Sequence, residues 1–197
     1  TEYFYFKELI KRDKTKLIFL MISRLIWDKG IKEYVLAAKE VKKKFPNTIF
    51  YLLGDFDNYN KSCVDSDFIN KYVNSNYIKH YNFVDDVRSF IINSDCVVLP
   101  SYREGTSRVL LEAASMGRPI ITSNVSGCNN IVENNKNGYL CEKKNVKSLV
   151  DCIIKFINLE FNLKNKMSKN GRKKIKNEFD SLIVNKKIIE NLVFISE

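Results

Sequence analysis

Short apolar segments alternate with helix-like segments along the chain from Lys16 onward. The apolar segments have the length of buried strands, and they lack the every-second-residue alternation of a half-exposed strand. These predicted strands are Lys16–Ser23, Thr48–Leu53, Tyr77–His80, Cys96–Leu99, Pro119–Thr122 and Gly138–Cys141. The predicted helices between and after them are Ile31–Phe45, Asp67–Val73, Val87–Ile92, Ser107–Met116, Val146–Asn158, Asn162–Asn177 and Asp180–Val193. Such strands, separated by helices, indicate a parallel sheet that is covered on both faces.

The pattern predicts an α/β fold with a doubly wound parallel sheet of the Rossmann-like type. No internal repeat and no Pro/Gly-rich linker divides the chain, so we expect one domain over residues 16–197, with residues 1–15 as a lead-in or interdomain segment. Sheets of this kind bind ligands at the carboxyl ends of their strands. The function is therefore expected in the loops at residues 23–30, 54 onward, 81–86, 100–107 and 123–127.

Composition narrows the class of protein. The chain has 197 residues, 45% of them hydrophobic, and no apolar run approaches the roughly 20 residues that a membrane span needs. Its single histidine, His80, excludes a zinc site built on several histidines and a complete Ser-His-Asp triad elsewhere in the chain. The five cysteines form no C-x-x-C pair, which indicates reduced and mostly buried thiols of a cytoplasmic protein.

The net charge of +10 raises the question of an anionic partner. The apolar residues of the predicted helix Ile31–Phe45 follow the spacing of one helix face, whereas its lysines fall elsewhere on the helix. An ordinary solvated surface and a basic surface held near anionic lipid or a phosphorylated acceptor both fit this pattern. Nucleic acid is not an expected partner, because aromatic and basic residues do not interleave as they do in single-strand-binding proteins.

Two cations mark the loop after the first strand. Arg24 and Lys29 lie five residues apart, and the loop leads into the start of a helix at Gly30. This combination suits a diphosphate, because the arginine guanidinium donates through two N–H groups, the lysine ammonium supplies a point charge and the helix start supplies free N–H groups. Taken by themselves, the two residues fit equally well as plain surface cations.

Two carboxylates mark the loop after the fourth strand and the helix that follows it. Glu104 and Glu112 lie eight residues apart and flank Gly105, which allows the backbone to approach a ligand closely. The backbone amides of residues 106–108 lie at the start of the predicted helix. Carboxylates accept hydrogen bonds from vicinal hydroxyls, so the arrangement suits a molecule with sugar hydroxyls at both ends and phosphate between them. A nucleotide sugar is such a molecule.

The motifs at these strand ends resemble those of a known enzyme family. In order along the chain they are S-R-L-x-x-D-K-G, L-L-G-D, F-V-D-D-V and D-C-V-V-L-P-S-Y-R-E-G-T-S-R-V-L-L-E-A-A-S-M-G-R-P-I-I. Together they resemble the C-terminal, donor-binding domain of retaining glycosyltransferases of family 4, which have the GT-B fold. The resemblance extends from about Lys16 to the last helix, and its local variants are most similar to transferases that build bacterial capsule or O-antigen.

The resemblance implies a set of donor-binding residues, namely Arg24, Lys29, Tyr81, Asn82, Phe83, Val84, Glu104, Gly105, Thr106, Ser107, Arg108 and Glu112. It implies that Arg24 and Lys29 bind the diphosphate and stabilise the leaving nucleotide. Glu104 is implied to face the transferred sugar, so these three residues are the implied catalytic set. Glu112 is implied to bind the ribose hydroxyls, and the backbone amides of residues 105–108 to bind phosphate and sugar. The base is implied to lie against residues 81–84, recognised largely by backbone groups.

The resemblance implies no cofactor and no metal, since GT-B transferases generally stabilise the leaving diphosphate with cationic side chains and a helix end. The aspartates near the predicted site are accordingly interpreted as caps and turn residues, namely Asp28, Asp85, Asp86 and Asp95. Two residues depart from the family pattern. Ser23 stands where many members have glycine before the arginine, and Asn130 replaces the glutamate of a G-x-x-E pattern that begins here at Gly127.

GT-B enzymes have two similar domains, and the acceptor site lies on the N-terminal one. The chain opens on Thr1 without an initiator methionine, so we expect a piece of a longer enzyme that holds only the donor half. The expected donor is a UDP-linked nucleotide sugar, and the expected acceptor is a lipid-linked glycan at the inner face of the cytoplasmic membrane, in bacterial surface polysaccharide synthesis. The last helices, ending at Ile188–Ile195, are expected to pack on the N-terminal domain, and the isolated chain to bind nucleotide without transferring sugar.

Two other functions stay open. A nucleotide-sugar epimerase of the GT-B type shares the architecture, but it is not expected to carry both E-x7-E and S-R-L-x-x-D-K-G. A basic, noncatalytic module for nucleic acid or anionic membrane belongs to a different class of protein. Such a module would gain nothing from Glu104 and Glu112 beside a phosphate-binding loop, so a comparison of UDP with an oligonucleotide would distinguish the two classes.

Overall fold

The computed structural model describes residues 2–185 and residue 189. Within these residues, six strands form one sheet in which all neighbours are parallel. The strands are β1 (Ile18–Ile22), β2 (Ile49–Leu53), β3 (Lys79–Tyr81), β4 (Cys96–Leu99), β5 (Ile120–Ser123) and β6 (Gly138–Cys141). The α-helices are α1 (Ile31–Lys44), α2 (Ser66–Asn74), α3 (Arg88–Asn93), α4 (Arg108–Ser115), α5 (Val146–Asn158) and α6 (Phe161–Glu178). Short 3-10 helices cover Lys14–Lys16 and Trp27–Lys29.

The sheet order is β3-β2-β1-β4-β5-β6, so the chain first runs outward from β1 and then returns to the other side of β1. All residues of β1, β4 and β5 are buried. Because both faces of these strands are covered, every position favours an apolar side chain and the sequence shows no alternation. The predicted doubly wound α/β fold of the Rossmann-like type is confirmed.

Helix α1 is anchored over β1 by an aromatic cluster. The ring of Phe19 in β1 stacks on Phe50, with 5.0 Å between the ring centroids, and meets Phe156 of α5 edge to face. The Tyr34 hydroxyl of α1 lies 3.1 Å from the carbonyl oxygen of Phe19 and 2.9 Å from that of Tyr51. Burial raises the pKa of Tyr34 well above its usual range, so the hydroxyl stays protonated. These contacts fix the end of α1 to which the loop after β1 is joined.

The third strand begins two residues later than the hydrophobic pattern predicts. The backbone N–H groups of Tyr77 and Ile78 both donate to the carbonyl oxygen of Tyr72, near the end of α2. These two residues therefore complete the turn after α2 instead of pairing in the sheet, and the strand continues to Tyr81, which lies in register with Leu53. The predicted strand Tyr77–His80 is corrected to Lys79–Tyr81.

The N-terminal segment contacts the domain through a buried arginine. Arg118, at the start of the R-P-I-I motif, is almost completely buried, and its guanidinium donates to the backbone carbonyl of Lys7. Its other acceptors are the carbonyls of Ile92 (3.0 Å), Ser94 (3.2 Å) and Met116 (3.3 Å). Burial lowers the pKa of Arg118 to about 10, which leaves the group charged at neutral pH.

Asp95 does not act as a cap or a turn residue, which corrects the interpretation from sequence. Its buried carboxylate accepts a 2.8 Å hydrogen bond from the backbone N–H of Ile18 and lies 3.3 Å from Nε of Arg12. Asp95 therefore joins the start of β1 to the N-terminal segment. Asp86, in contrast, accepts from the backbone N–H of Arg88 at 3.0 Å, as a residue at a turn does.

The five cysteines are all free. Cys96, Cys128 and Cys141 are buried, whereas Cys63 and Cys152 are only partly buried. At the C-terminal side, residues 181–185 are helical, and the rest of the predicted helix Asp180–Val193 lies outside the described residues except for Ile189. The segment Ile188–Ile195, which we expect to pack on a second domain, falls almost entirely in that part.

Among the described residues, none of the helices is both long enough and apolar enough to cross a lipid bilayer.

Candidate donor-binding site

The loops after β1 and β4 lie side by side, at the point where the order of the strands in the sheet reverses. The backbone N–H of Tyr102 and the hydroxyl of Ser101 both bond to the carbonyl oxygen of Asp28, at 2.7 Å and 3.1 Å. Gly30 has a positive φ of 76°, and a Cβ at this position would lie 2.1 Å from the carbonyl oxygen of Pro100. Only glycine permits this approach, so the loop after β1 and the loop after β4 form one rigid edge. The two loops border the crevice in which doubly wound sheets bind their ligands.

Lys29 and Glu104 form an ion pair across this crevice. Nζ of Lys29 donates to Oε1 of Glu104 at 2.7 Å, although the two residues are 75 positions apart in the chain. Their side chains are only 20% and 11% exposed. The structure thus brings together one predicted diphosphate-binding cation and the carboxylate predicted to face the transferred sugar.

Arg24 lies on the other side of β1 from Glu104. Its Nη1 donates to Oδ2 of Asp57, in the loop after β2, at 2.6 Å. The Arg24 side chain is 64% exposed, so much of its guanidinium is accessible to a ligand. Arg24 and Lys29 therefore flank the end of β1, with one cation paired toward β2 and the other toward β4.

The backbone before α4 is exposed at Gly105 and supported from behind at Gly127. A Cβ on Gly105 would meet no heavy atom within 4 Å, whereas a Cβ on Gly127 would lie 1.8 Å from the carbonyl oxygen of Gly105. The backbone N–H of Ser107, which is the residue before α4, donates to the carbonyl oxygen of Gly127 at 3.2 Å. The Gly127 turn thus fixes the loop, and Thr106 and Arg108 are exposed beside its open side. Asn130, where the family pattern has glutamate, is exposed in the same turn.

Glu112 lies one turn into α4, four residues after Arg108. Its side chain is partly buried, and burial raises the pKa of its carboxyl group above the ordinary value, while the charge of Arg108 partly opposes this shift. A partly exposed carboxylate on this helix can accept hydrogen bonds from the hydroxyl groups of a ligand.

A cleft of about 540 Å³ opens beside Arg24. Its lining includes the ends of β1 and β2, the carboxylate-bearing residues Asp55 and Asp57, and the predicted base-binding residues Phe83 and Val84. The Phe83 ring is 66% exposed, and its backbone N–H donates to Oδ1 of Asp55 at 2.9 Å. The structure therefore places two of the four predicted base-binding residues and one predicted phosphate-binding residue around a single cleft.

Tyr81 and Asn82 lie elsewhere. The Tyr81 ring packs edge to face against Tyr51 and Phe90, with centroid distances of 5.3 Å and 5.2 Å, and it lines a separate cavity. The backbone of Tyr81 is nearer to the cleft, because its carbonyl oxygen accepts from the N–H of Gly54 at 2.9 Å. The Asn82 side chain is exposed.

Three acidic residues near the site were not predicted as part of it. Asp57 pairs with Arg24, Asp55 fixes the backbone of Phe83, and the buried Glu33 accepts a 2.7 Å hydrogen bond from the Tyr102 hydroxyl. Burial, and next this hydrogen bond, raise the pKa of Tyr102. Asp55 and Asp57 directly follow a predicted strand, which is a usable signal, whereas nothing in the sequence pattern identifies the partner of Glu33.

A family model described as "Glycosyl transferases group 1" matches residues 5–174. The chain belongs to this family. The resemblance inferred from the motifs is thereby confirmed at the level of the group 1 family, and the narrower assignment to family 4 stays a prediction. The matched range contains every residue that the resemblance implies for donor binding.

Two named relatives share more than a third of their aligned residues with this member of the family. The chain is 35% identical over 165 residues to the capsular polysaccharide biosynthesis glycosyltransferase CapM of Staphylococcus aureus. The aligned residues cover 83% of this chain and 42% of that protein. The chain is 36% identical over 138 residues to the N,N'-diacetylbacillosaminyl-diphospho-undecaprenol alpha-1,3-N-acetylgalactosaminyltransferase of Campylobacter jejuni, covering 70% of this chain and 35% of that protein. The chain therefore spans less than half the length of these relatives.

A solved structure shows the same fold. The Anabaena protein Alr3699/HepE, crystallised in complex with UDP, superposes with a TM-score of 0.80 at 22% sequence identity, over 91% of this chain and 49% of that one. At this identity the likeness shows the architecture alone, a Rossmann-like α/β domain.

Proposed function

We propose that the chain is the donor-binding half of a retaining glycosyltransferase of the GT-B fold and of family 4. In this proposal it binds a UDP-linked sugar, and the complete enzyme transfers that sugar to a lipid-linked glycan during bacterial surface polysaccharide synthesis. The observation that carries the proposal is the Lys29–Glu104 ion pair at the crevice between β1 and β4, beside the exposed Gly105 backbone. A cation and a carboxylate held together at such a crevice suit the junction between a phosphate and a sugar.

The proposed site has a part for each group of the donor. Arg24 and Lys29 flank the end of β1, where they would bind the diphosphate together with the amides of residues 105, 106 and 108, whereas the predicted Ser107 amide already donates to the carbonyl oxygen of Gly127. The base would occupy the cleft beside Phe83 and Val84, and Glu112 would accept hydrogen bonds from the ribose hydroxyls. Glu104, oriented by Lys29, would face the sugar.

In the proposed transfer, the bond between the anomeric carbon and the β-phosphate oxygen breaks, and a bond from the anomeric carbon to the acceptor oxygen forms. The acceptor hydroxyl loses its proton, which the departing β-phosphate oxygen accepts after the bond has broken. The electron pair of the broken bond leaves with the nucleoside diphosphate, whose negative charge increases. Arg24, Lys29 and the N–H groups at the start of α4 stabilise this charge. We propose that this chemistry needs no cofactor and no metal ion.

The names of the relatives support the class of acceptor and donor. One relative is named for capsular polysaccharide biosynthesis, one for an acceptor with a diphospho-undecaprenol carrier, and the Anabaena structure holds UDP. A lipid carrier would require this protein to work at the inner face of the cytoplasmic membrane. The exposed lysines of α1, Lys32, Lys43 and Lys44, fit contact with anionic lipid there.

Calorimetric titration of the chain with UDP, and separately with a short single-stranded oligonucleotide, tests the proposal. We expect saturable binding of UDP and only weak oligonucleotide binding that disappears at physiological salt. Tight, salt-dependent oligonucleotide binding without any UDP binding would show instead that the chain is a basic binding module.

A further inference from the structure

The Arg24–Asp57 ion pair is an unexpected feature of the proposed donor site. Oδ2 of Asp57 lies 2.6 Å from Nη1 of Arg24, at the cleft that both residues line. A carboxylate oxygen at this distance occupies a guanidinium N–H that a phosphate oxygen would otherwise accept from. Asp57 is thus paired with the cation Arg24, whose proposed role is to bind a different anion, the diphosphate.

The backbone fixes this placement. Leu25, next to Arg24, forms a parallel bridge with Phe56, next to Asp57, and its N–H donates to the carbonyl oxygen of Asp55 at 2.9 Å. On its other side, the carbonyl oxygen of Leu25 accepts from the N–H of Val64 at 2.9 Å. The loop after β2 therefore encloses the loop after β1, and Arg24 and Asp57 project from two segments held in register.

The two side chains differ in exposure, and this difference determines which of them can move when a phosphate group binds. Arg24 is 64% exposed and Asp57 is 19% exposed, so the carboxylate is held by its loop while the guanidinium can move. Water around the exposed guanidinium weakens its ion pair with Asp57, so a diphosphate, with its larger charge, can replace the carboxylate as the partner of Arg24.

We propose that Asp57 is a positioning residue that sets the charge selectivity of the donor site. It orients Arg24 and competes with the phosphate groups of the ligand for the guanidinium, so a ligand must carry enough negative charge to replace it. The proposal rests on the proposed function, because it requires that Arg24 contacts the diphosphate. It adds that binding exchanges one anionic partner of Arg24 for another.

The experiment compares uridine, UMP and UDP as ligands of the native chain and of Asp57→Asn. The variant removes the competing charge and keeps the shape of the side chain, so we expect UDP to bind about two- to five-fold more tightly. The gain should decrease from UDP to UMP and vanish for uridine, which has no phosphate. A merely structural role of Asp57 would change the affinity for all three ligands alike.

Two further variants complete the test. Asp151→Asn removes the same charge from an exposed position on α5 and should leave all three affinities unchanged. In the background of Arg24→Ala, Asp57→Asn should lose most of its effect, because the competition is for the guanidinium. Asp57→Ser, which also removes the charge, replaces Asp57→Asn if that variant does not fold, as judged by its circular dichroism spectrum.

Three results would contradict the proposal. UDP affinity that is unchanged or weaker in the folded, charge-free variant would overturn it while leaving the proposed function intact. An equal gain for uridine and UDP would assign Asp57 to the packing of the cleft. Failure of the native chain to bind UDP would overturn the proposed function, and this inference with it.

Discussion

Lys29 and Glu104 show how one residue can orient another at the proposed reaction centre. The carboxylate of Glu104 is 11% exposed, and the 2.7 Å bond from Lys29 fixes its position. The lysine therefore holds the Glu104 carboxylate in one direction at the crevice. In the proposed site, the same lysine would also contact the leaving diphosphate. The two proposed tasks are therefore coupled through a single ammonium group.

Glu112 gives a prediction that combines stability with binding. Its carboxyl pKa in the folded chain is raised above 4.5 by burial, so the folded state binds the proton more tightly than the unfolded state does. Unfolding free energy should therefore fall as pH rises from 4.5 through the raised pKa. We expect Glu112→Gln to remove this part of the pH dependence, as measured by denaturant unfolding at a series of pH values.

The same substitution should weaken UDP binding by about tenfold at neutral pH, because the charged acceptor for the ribose hydroxyls is lost. In the native chain, UDP affinity should likewise decrease as acid protonates Glu112. Glu8→Gln, at an exposed position in the N-terminal segment, is the matched control and should change neither property. Unaltered UDP affinity in Glu112→Gln would remove the ribose assignment.

At the scale of elements, two glycines of the same loop contact have opposite surroundings. Gly127 has a φ of +80° and lies against the backbone of Glu104 and Gly105, whereas a Cβ added to Gly105 would meet open space. We expect Gly127→Ala to lower the free energy of unfolding by about 2 kcal/mol or more, through strain and displacement of the loop. Gly105→Ala should change stability by less than about 0.5 kcal/mol.

UDP titration separates the two variants further. In Gly105→Ala the new methyl group projects into the proposed ligand space, so UDP affinity should fall by about tenfold while stability is retained. Native-like UDP affinity in this stable variant would show that the donor does not approach the backbone before α4. Thermal unfolding and calorimetry on both variants provide the measurements.

The elements of the sheet could be predicted well because burial on both faces leaves a simple signal. β6 and α5 begin and end at the predicted residues, and β1 and β4 are fully buried. The predicted start of the third strand is wrong because the N–H groups of Tyr77 and Ile78 bond to Tyr72 of the preceding helix, a local turn that the apolar pattern does not reveal. Tyr81 consequently joins the sheet, and its ring packs on Tyr51 instead of lining the cleft.

The candidate site was predictable to the extent that motifs lie at strand ends. Sequence spacing located Lys29 and Glu104 at the crevice and Glu112 in the helix that follows, although their roles stay predictions. The partner of Arg24 could not be predicted, because pairing with Asp57 depends on how two loops lie in register. Charge partners across loops are a property of the folded chain, and sequence distance gives no measure of them.

At the scale of the whole molecule, the chain spans 42% and 35% of the two named relatives, and its crevice opens at one edge of the sheet. We propose that the acceptor site lies on a second domain that faces this edge. The chain alone should therefore bind UDP without transferring sugar. Incubation with radiolabelled UDP-sugars and membrane lipid extract, followed by counting of the extracted lipid, checks this, and full turnover by the chain would contradict it.

Arg118 has an electrostatic consequence at the opposite end of α4 from where its side chain lies. Its guanidinium bonds to carbonyls that close the C-terminal ends of α3 and α4, where each helix carries roughly half a negative charge. The negative pole of α4 is thereby compensated by a buried cation. The positive pole, at the start of α4 from Arg108, keeps its full effect, so α4 acts on the proposed donor loop less as a dipole than as a fixed positive charge.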